Sequence, residues 1–440
     1  MYFYAALGGG TEINMKSQEL LTILEGCELN AKLTALYGEE NLSAAKARYA
    51  DAIANFCKLY GNDRDISLYT VAGRSELSGN HTDHNHGCVI AASINLDIIA
   101  VAAKNGENTI RIKSEGFPED VVDITDETID EAKFFTSGAI ISGVCKGFKN
   151  NGFAIGGYNA YTTSSVLKGS GLSSSAAFED MVGNILNYFF NDGKIDNAEI
   201  AKISQFAENK YFGKPCGLMD QVACAVGGFV AIDFADPTKP IIEKMDFDLT
   251  SHGYSLCIVS TGGNHADLNE DYASVPAEMK AAASHFGKPV LREVGLEQLI
   301  AEIPALREKY GDRAILRAFH FINENKRVKA QTEALRDGDL DAFFDGVLAS
   351  GNSSFEYLQN VYTTKNVSEQ GLSLALALAQ YYLADKGGAW RVHGGGFAGT
   401  TQAYVRNEDV EGYRALMDGA FGEGACIVLR GRGIGAGKVI

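Results

Sequence analysis

Between residues 16 and 60 the apolar positions recur at helical spacing. Leu20, Leu21, Ile23 and Leu24 are followed by Ala45, Tyr49, Ile53 and Phe56, a stripe that predicts helices buried along one face. The pattern changes over 87–103, where an apolar run rich in β-branched residues predicts sheet strands. A helix is predicted from Ser174, because Phe178, Met181, Val182, Ile185, Leu186 and Phe189 share one face. Asp196 with Glu199 has the form of a capping box and opens a second helix carrying Ile200, Ile203, Ala207 and Tyr211. Residues 228–243 read as a strand, a Pro-containing turn and another strand, and a domain boundary is placed there. From 276 to 350 the pattern is helical, and from Ala389 it returns to strands and Gly-rich turns. Residues 8–14 read as a flexible lead-in. The chain is thus divided into a helical extension (1–60), a first domain (61–240) and a second domain (241–440).

Composition narrows the class of protein. A chain of 440 residues suggests two or three domains of roughly 100–200 residues each. It can bury sizeable cores without disulfide staples. None of the eight cysteines forms a Cys-x-x-Cys pair, so they read as reduced structural thiols. A net charge of −17 without any Lys/Arg-rich run argues against nucleic acid as a partner, though a locally positive pocket can still hold an anion. The start lacks a basic n-region. The longest apolar stretch, Leu372 to Leu383, is short of the roughly 20 residues of a membrane span. A cytoplasmic protein without membrane contact is expected.

Four segments carry chemistry. Lys168-Gly169-Ser170-Gly171-Leu172-Ser173-Ser174-Ser175-Ala176-Ala177 places glycines and three hydroxyls ahead of a helix, where inward amides and the helix dipole favour phosphate. A Gly/Ser turn that merely caps the helix is the alternative. No Gly-x-x-x-x-Gly-Lys-Ser/Thr occurs, and Ser174 breaks any Gly-x-Gly-x-x-Gly, which argues against a nicotinamide enzyme. Gly73 to Gly87 packs Arg74, Glu76, Asn80, His81, Asp83, His84 and His86 between glycines, a donor and acceptor set suited to a polyol. The same segment also reads as a zinc site or as a solvated loop. In the third segment, Glu208 lies near a helix end and Asp220 follows a Cys-Gly turn at the start of another helix. These carboxylates suit a Mg²⁺ ligand and a group facing a hydroxyl, or simply a cap. Arg391-Val392-His393-Gly394-Gly395-Gly396-Phe397 leaves room for a ligand or for a closely packed corner.

Taken in order, the four segments resemble the galactokinase family, within the group that includes homoserine, mevalonate and phosphomevalonate kinases. Gly-Asn-His-Thr-Asp-His-Asn is similar to the family's Gly-Glu-His-Thr-Asp-Tyr-Asn, Gly217-Leu218-Met219-Asp220-Gln221 to its Cys-Gly-Ile-Met-Asp-Gln, and the last segment to Met-Thr-Gly-Gly-Gly-Phe-Gly-Gly. The resemblance spans roughly residues 60–440. It implies an α+β fold of two domains with ATP and a free monosaccharide in the cleft between them, and phosphoryl transfer to the anomeric hydroxyl. It also implies residue roles. Asp220 and Arg74 are catalytic. Asn80, His81, Asp83, Gly217 and Tyr272 contact the sugar. Gly169, Ser170, Gly171, Leu172, Ser173, Ser174 and Ser175 hold ATP, and Ser175 with Glu208 holds Mg²⁺. The family's Glu is Asn80 here, its Asn is Glu76, its Tyr is His84 and its Thr is His393. The Arg-Arg pair expected after Tyr272 is absent, with Val275-Pro276 nearby. These departures leave open an N-acetylgalactosamine, L-arabinose or uronic acid acceptor, or a non-catalytic sugar sensor.

Overall fold

The computed structural model describes residues 15–166, 171–214, 216–263 and 268–440. The expected lead-in at 8–14 and the loop residues Gly169 and Ser170 lie outside them. The helical stripe of the extension is cut into α1 (Ser17–Glu25), α2 (Asn30–Tyr37) and α3 (Leu42–Tyr60). The second cut falls at Gly38, whose φ of +87° ends α2.

These helices cover one face of a sheet built on β2 (Asp65–Ser78) and β3 (Cys88–Lys104), with β1 (Met15–Lys16) on its edge. Leu20, Leu24, Leu33, Ile53 and Phe56 pack on Ile66, Leu68, Ile99, Val101 and Ala103. The alternate residues Tyr69, Val71, Ile98, Ala100 and Ala102 face the other way. They meet α4 (Ser137–Asn150), α5 (Ser174–Phe190), α6 (Asn197–Ala207) and α7 (Met219–Val226). Burial of both faces is why these strands read as continuous apolar runs.

β3 is long enough to serve two partners. Ile98–Lys104 pairs antiparallel with β6 (Tyr158–Ser164), and Cys88–Ala92 with β7 (Phe229–Asp233). β4 (Thr109–Ser114) runs parallel to β6 and carries β5 (Glu119–Asp123) on its far side. β8 (Ile241–Met245) pairs with β7, so this sheet continues past residue 240. A second sheet has the antiparallel order β10 (Ala389–His393), β11 (Thr400–Arg406), β9 (Tyr254–Ser260), β12 (Cys426–Leu429).

α13 (Gly371–Leu383) and α14 (Val410–Phe421) cover this second sheet. α14 lies where strands and turns were expected. Val410, Tyr413 and Met417 fall on one buried helical face despite the glycines around them. α8 (Asn269–His285), α9 (Leu296–Ala301), α10 (Ile303–Tyr310), α11 (Asp312–Asp337) and α12 (Leu340–Ser353) form the rest, as the helical pattern of 276–350 predicts. The chain ends back on the first sheet, where β13 (Gly437–Lys438) pairs with β2. Among the described residues no helix is long and apolar enough to cross a membrane.

Two irregularities shape the functional region. The register of β2 against β3 jumps between Ala72 and Arg74. In this bulge three β3 residues, 94–96, stand opposite Gly73, and the Arg74 amide leaves the ladder for the Leu172 carbonyl, 3.1 Å away. A second jump falls between Glu76 and Ser78, and Asp97, which pairs with Ala72 at the edge of the first, is fully buried. Its carboxylate accepts from Arg48 Nη1 (2.5 Å), Arg432 Nη1 (3.1 Å), Tyr37 Oη (2.6 Å) and Thr70 Oγ1 (2.5 Å). Its backbone exchanges hydrogen bonds with Ser165, just beyond β6. One residue therefore ties the helical extension and the C-terminal segment through its side chain, and the strand that feeds the Gly/Ser loop through its backbone.

Burial pushes the Asp97 carboxyl up, but the two arginines and two hydroxyls outweigh it and hold it below the ordinary aspartate value. A depressed folded-state value stabilises the protein above the unfolded value and loses that contribution as pH falls through the folded one. Asp97→Asn leaves buried Arg432 and partly buried Arg48 without their ionic partner and should cost about 3–5 kcal/mol near neutral pH. The deficit should narrow in acid. Urea unfolding of both proteins at several pH values measures this, and equal stability at pH 7 contradicts it.

Candidate active site

Arg74 and Asp220 meet because the bulge aims one and the first turn of α7 presents the other. Asp220 Oδ1 accepts from Arg74 Nε (2.8 Å) and Nη2 (2.7 Å). Oδ2 accepts from Ser173 Oγ at 2.5 Å. The remaining guanidinium nitrogen, Nη1, donates to the Gly171 carbonyl. Arg74 is buried, whereas the Asp220 side chain keeps 34% of its surface open. Burial raises the Asp220 carboxyl, and the Arg74 charge, the Ser173 hydroxyl and more distant Lys214 overcome this. The net result is a carboxylate held below its ordinary value and therefore ionised, with one exposed side.

The loop that supplies Ser173 is bent to order. Gly171 (φ +72°) and Ser173 (φ +57°) are both left-handed, and Leu172 between them is fully buried. This anchors the loop while Ser174 and Ser175 enter the first turn of α5 half-buried. The positive end of a 17-residue helix thus lies beside Asp220 and Arg74. His393, from the second sheet, backs this corner. Its ring nitrogens bond Ser75 Oγ (3.1 Å) and Thr400 Oγ1 (2.9 Å). Its Cε1 lies 3.2 Å from where a Cβ on Gly171 would sit, so that glycine permits the close approach. Burial and the charges of Arg74 and Arg391 push His393 down to about 3, so the ring is neutral.

Glu208 is buried at the point where α6 passes into a π turn, Glu208–Phe212. Lys214 Nζ donates to its Oε1 (3.0 Å) and Gln221 Nε2 to its Oε2 (2.8 Å). Gln221 also donates to Glu179 Oε2 at 3.0 Å, bridging the two acids. Burial and the Glu208 charge push the Glu179 carboxyl well up.

The segment after β2 turns sharply through His81 (φ +56°) into a short 3₁₀ turn, Asp83–Asn85. His81 Nε2 donates to the Gly395 carbonyl at 2.8 Å, which leaves Nδ1 as an acceptor. Burial first, then the neighbouring His84, pushes His81 down to about 4, so it too is neutral. Asp83 accepts from the His84 amide at 2.9 Å. Gly217 approaches Asp83 so closely that a Cβ there would lie 2.4 Å from Oδ2. Tyr272 Oη donates to the Gly396 carbonyl (2.8 Å), with its ring edge-on to Phe397. Asn80 is fully buried and bonded on every side, to Glu76, Gly394, Ser354 and Asn360.

The structure therefore gathers Arg74, Gly171, Ser173 and Asp220 into one hydrogen-bonded group and brings Gly217 against Asp83. Tyr272 and His81 are joined to the Gly394–Gly396 turn. Among the described residues, no three His, Cys, Asp or Glu side chains gather closely enough to hold a metal ion between them. Several partners escaped the sequence reading. Gln221 stood inside a recognised segment, but nothing marked it as a bridge. Asn360 and His320 had no local signal, since each meets Asn80 from more than 200 residues away.

The chain is similar to known proteins. Two family models match, the GHMP kinases N terminal domain over residues 139–228 and the galactokinase galactose-binding signature over residues 54–104. A galactokinase of Glaesserella parasuis serovar 5 is 33% identical over 353 residues, 78% of this chain and 86% of that protein. One from Streptomyces coelicolor is 29% identical over 369 residues, 83% and 91% of the two chains. The crystal structure of Lactococcus lactis galactokinase complexed with galactose superposes with a TM-score of 0.74 at 24% identity, over 89% of this chain and 99% of that one. Methanococcus jannaschii mevalonate kinase does so with a TM-score of 0.58 at 13% identity, over 83% and 98%. The α+β fold expected from the motifs is thus that of the GHMP kinases. Within that class, the chain belongs to the galactokinase family.

The contact between Gly217 and Asp83 can be tested directly. Gly217→Ala should lower the melting temperature, and adding Asp83→Ala should recover most of the loss by removing the obstructing carboxylate. An unchanged melting temperature in the single variant contradicts the close approach.

Proposed function

We propose that this protein is an ATP-dependent sugar kinase that phosphorylates galactose at its anomeric hydroxyl. The observation that carries the reading is the Asp220 carboxylate, held ionised by Arg74 and Ser173 beside the phosphate loop with one side open. The names of its relatives and the galactose bound in the Lactococcus lactis structure support the same acceptor.

Phosphoryl transfer depends on positioning and charge neutralisation more than on covalent chemistry. Asp220 orients the acceptor hydroxyl and takes its proton. Arg74 lies where it can neutralise charge on the transferring group. The loop Gly169–Ser175 and the amino end of α5 hold the ATP phosphates. Asp83, His81, Gly217 and Tyr272 line the sugar side.

The residues present suit Mg²⁺. Glu208 offers one carboxylate whose Oε1 is held by Lys214, a long and half-exposed side chain that can turn away, and Ser175 offers a hydroxyl from α5. One carboxylate, one hydroxyl, phosphate oxygens and water form the hard oxygen set that Mg²⁺ takes. When bound, the ion neutralises phosphate charge. The eight free cysteines suit a reducing, cytoplasmic setting.

A coupled assay of ADP release across galactose, N-acetylgalactosamine, L-arabinose and galacturonate tests the reading. Galactose should give the largest kcat/KM. ADP release with a different sugar alone changes the acceptor, and no release with any sugar makes the protein a sensor. In the same assay, Glu208→Gln should raise the Mg²⁺ needed for half-maximal rate by about tenfold or more, as loss of a charged ligand implies. An unchanged metal requirement removes Glu208 from the metal site.

A further inference from the structure

The segment that begins at Arg391 does more than end a strand. Along it, Arg391 Nη2 donates to Glu76 Oε1 (3.0 Å) and Nη1 to the Leu77 carbonyl (3.1 Å). His393 bonds Ser75, the Gly394 carbonyl accepts from Asn80 Nδ2 (2.7 Å), and the Gly395 carbonyl accepts from His81. The second sheet thus clasps the end of β2 and the turn after it, residue against residue.

Asn80 is the hub of this clasp. Its amide donates to Glu76 Oε1 (3.2 Å) as well as to Gly394. Its Oδ1 accepts from Asn360 Nδ2 (2.7 Å) and Ser354 Oγ (3.3 Å), and its backbone carbonyl accepts from His320 Nε2 (2.9 Å). A side-chain amide has two donors and two acceptor lone pairs. All four are taken, and the residue is 0% exposed.

Resting on the sugar-kinase reading, we propose that Asn80 is a positioning residue that touches no sugar hydroxyl. It fixes His81 and Asp83 against the Gly394–Gly396 turn, and specificity rests on the groups that keep open valences, Asp83 foremost. The Glu76–Asn80 bond works as one unit with Arg391. It needs one carboxylate and one amide, because Glu76 Oε1 and the Gly394 carbonyl can only accept.

Asn80→Asp places an acceptor against both and should lower the melting temperature. At a temperature where it is fully folded, kcat/KM for the sugar should fall roughly 10²-fold, the scale of a misplaced binding group. A merely structural residue would leave the folded enzyme's kcat/KM unchanged. Adding Glu76→Gln restores a donor between positions 76 and 80 but leaves the Gly394 carbonyl facing an acceptor, so it should recover part of both losses.

The decisive readout is a set of monodeoxy galactoses. A positioning role predicts that the Asn80→Asp loss follows His81 and Asp83, so that any deoxy sugar spared by Asn80→Asp is also spared by His81→Ala or Asp83→Ala. A deoxy sugar spared by Asn80→Asp but by neither of those variants would mark a direct contact and overturn the proposal. If Asn80→Asp does not fold, Asn360→Ser removes the donor to Oδ1 from outside the sugar side and should show the same pattern of loss. If no sugar is a substrate, the kinase reading has failed on its own. The melting-temperature cycle of Glu76→Gln, Asn80→Asp and the double variant still decides the clasp, and purely additive losses would overturn it.

Discussion

The ion pair of Arg74 with Asp220 sets the terms for the rest of the structure. Taking both groups from water carries a penalty of several kcal/mol per ion, which only close geometry and added hydrogen bonds offset. The protein supplies both. Two guanidinium nitrogens reach one carboxylate oxygen, Ser173 donates to the other, and the third nitrogen goes to Gly171. Each demand explains a local feature. The bulge at Gly73 aims Arg74, the left-handed Ser173 turns its hydroxyl, and α7 starts one residue before Asp220. The charge survives burial because its partners are fixed, and it remains usable because one side stays open.

The surrounding architecture keeps that corner from relaxing. Asp97 locks the helical extension and the C-terminal segment onto β3, beside the strand that leads into the Gly/Ser loop. From the other sheet, Arg391, His393 and the glycine turn clasp the end of β2. Arg74 therefore sits on a strand held from both ends. Neutral rings at His81 and His393 fit this design, since protonating either would bury a charge beside arginines or another imidazole.

Much of this was legible in the sequence because it is local. The faces of α5 and α6, the apolar run of β3 and the strand–turn–strand at 228–243 follow from periodicity over a few residues. Resemblance marked Arg74 and Asp220 as catalytic together, though 146 positions separate them. What stayed hidden depends on distant partners. Asn80 reads as an open polar residue until Ser354, Asn360 and Gly394 close around it. The glycines around 412–424 masked α14, whose burial comes from the sheet beneath it. Two glycine-marked breaks turn one helical stripe at 16–60 into three helices.

The central claim is that Asp220 is a pre-ionised proton acceptor and not a structural partner of Arg74 alone. The most direct test is the turnover number of Asp220→Asn at saturating ATP and galactose, with ATP binding and melting temperature measured on the same sample. The substitution keeps the shape and the bond to Ser173 while removing the charge. The account predicts a folded protein that still binds ATP and turns over roughly 10²–10⁴-fold more slowly. A folded variant within tenfold of the wild-type rate would contradict it.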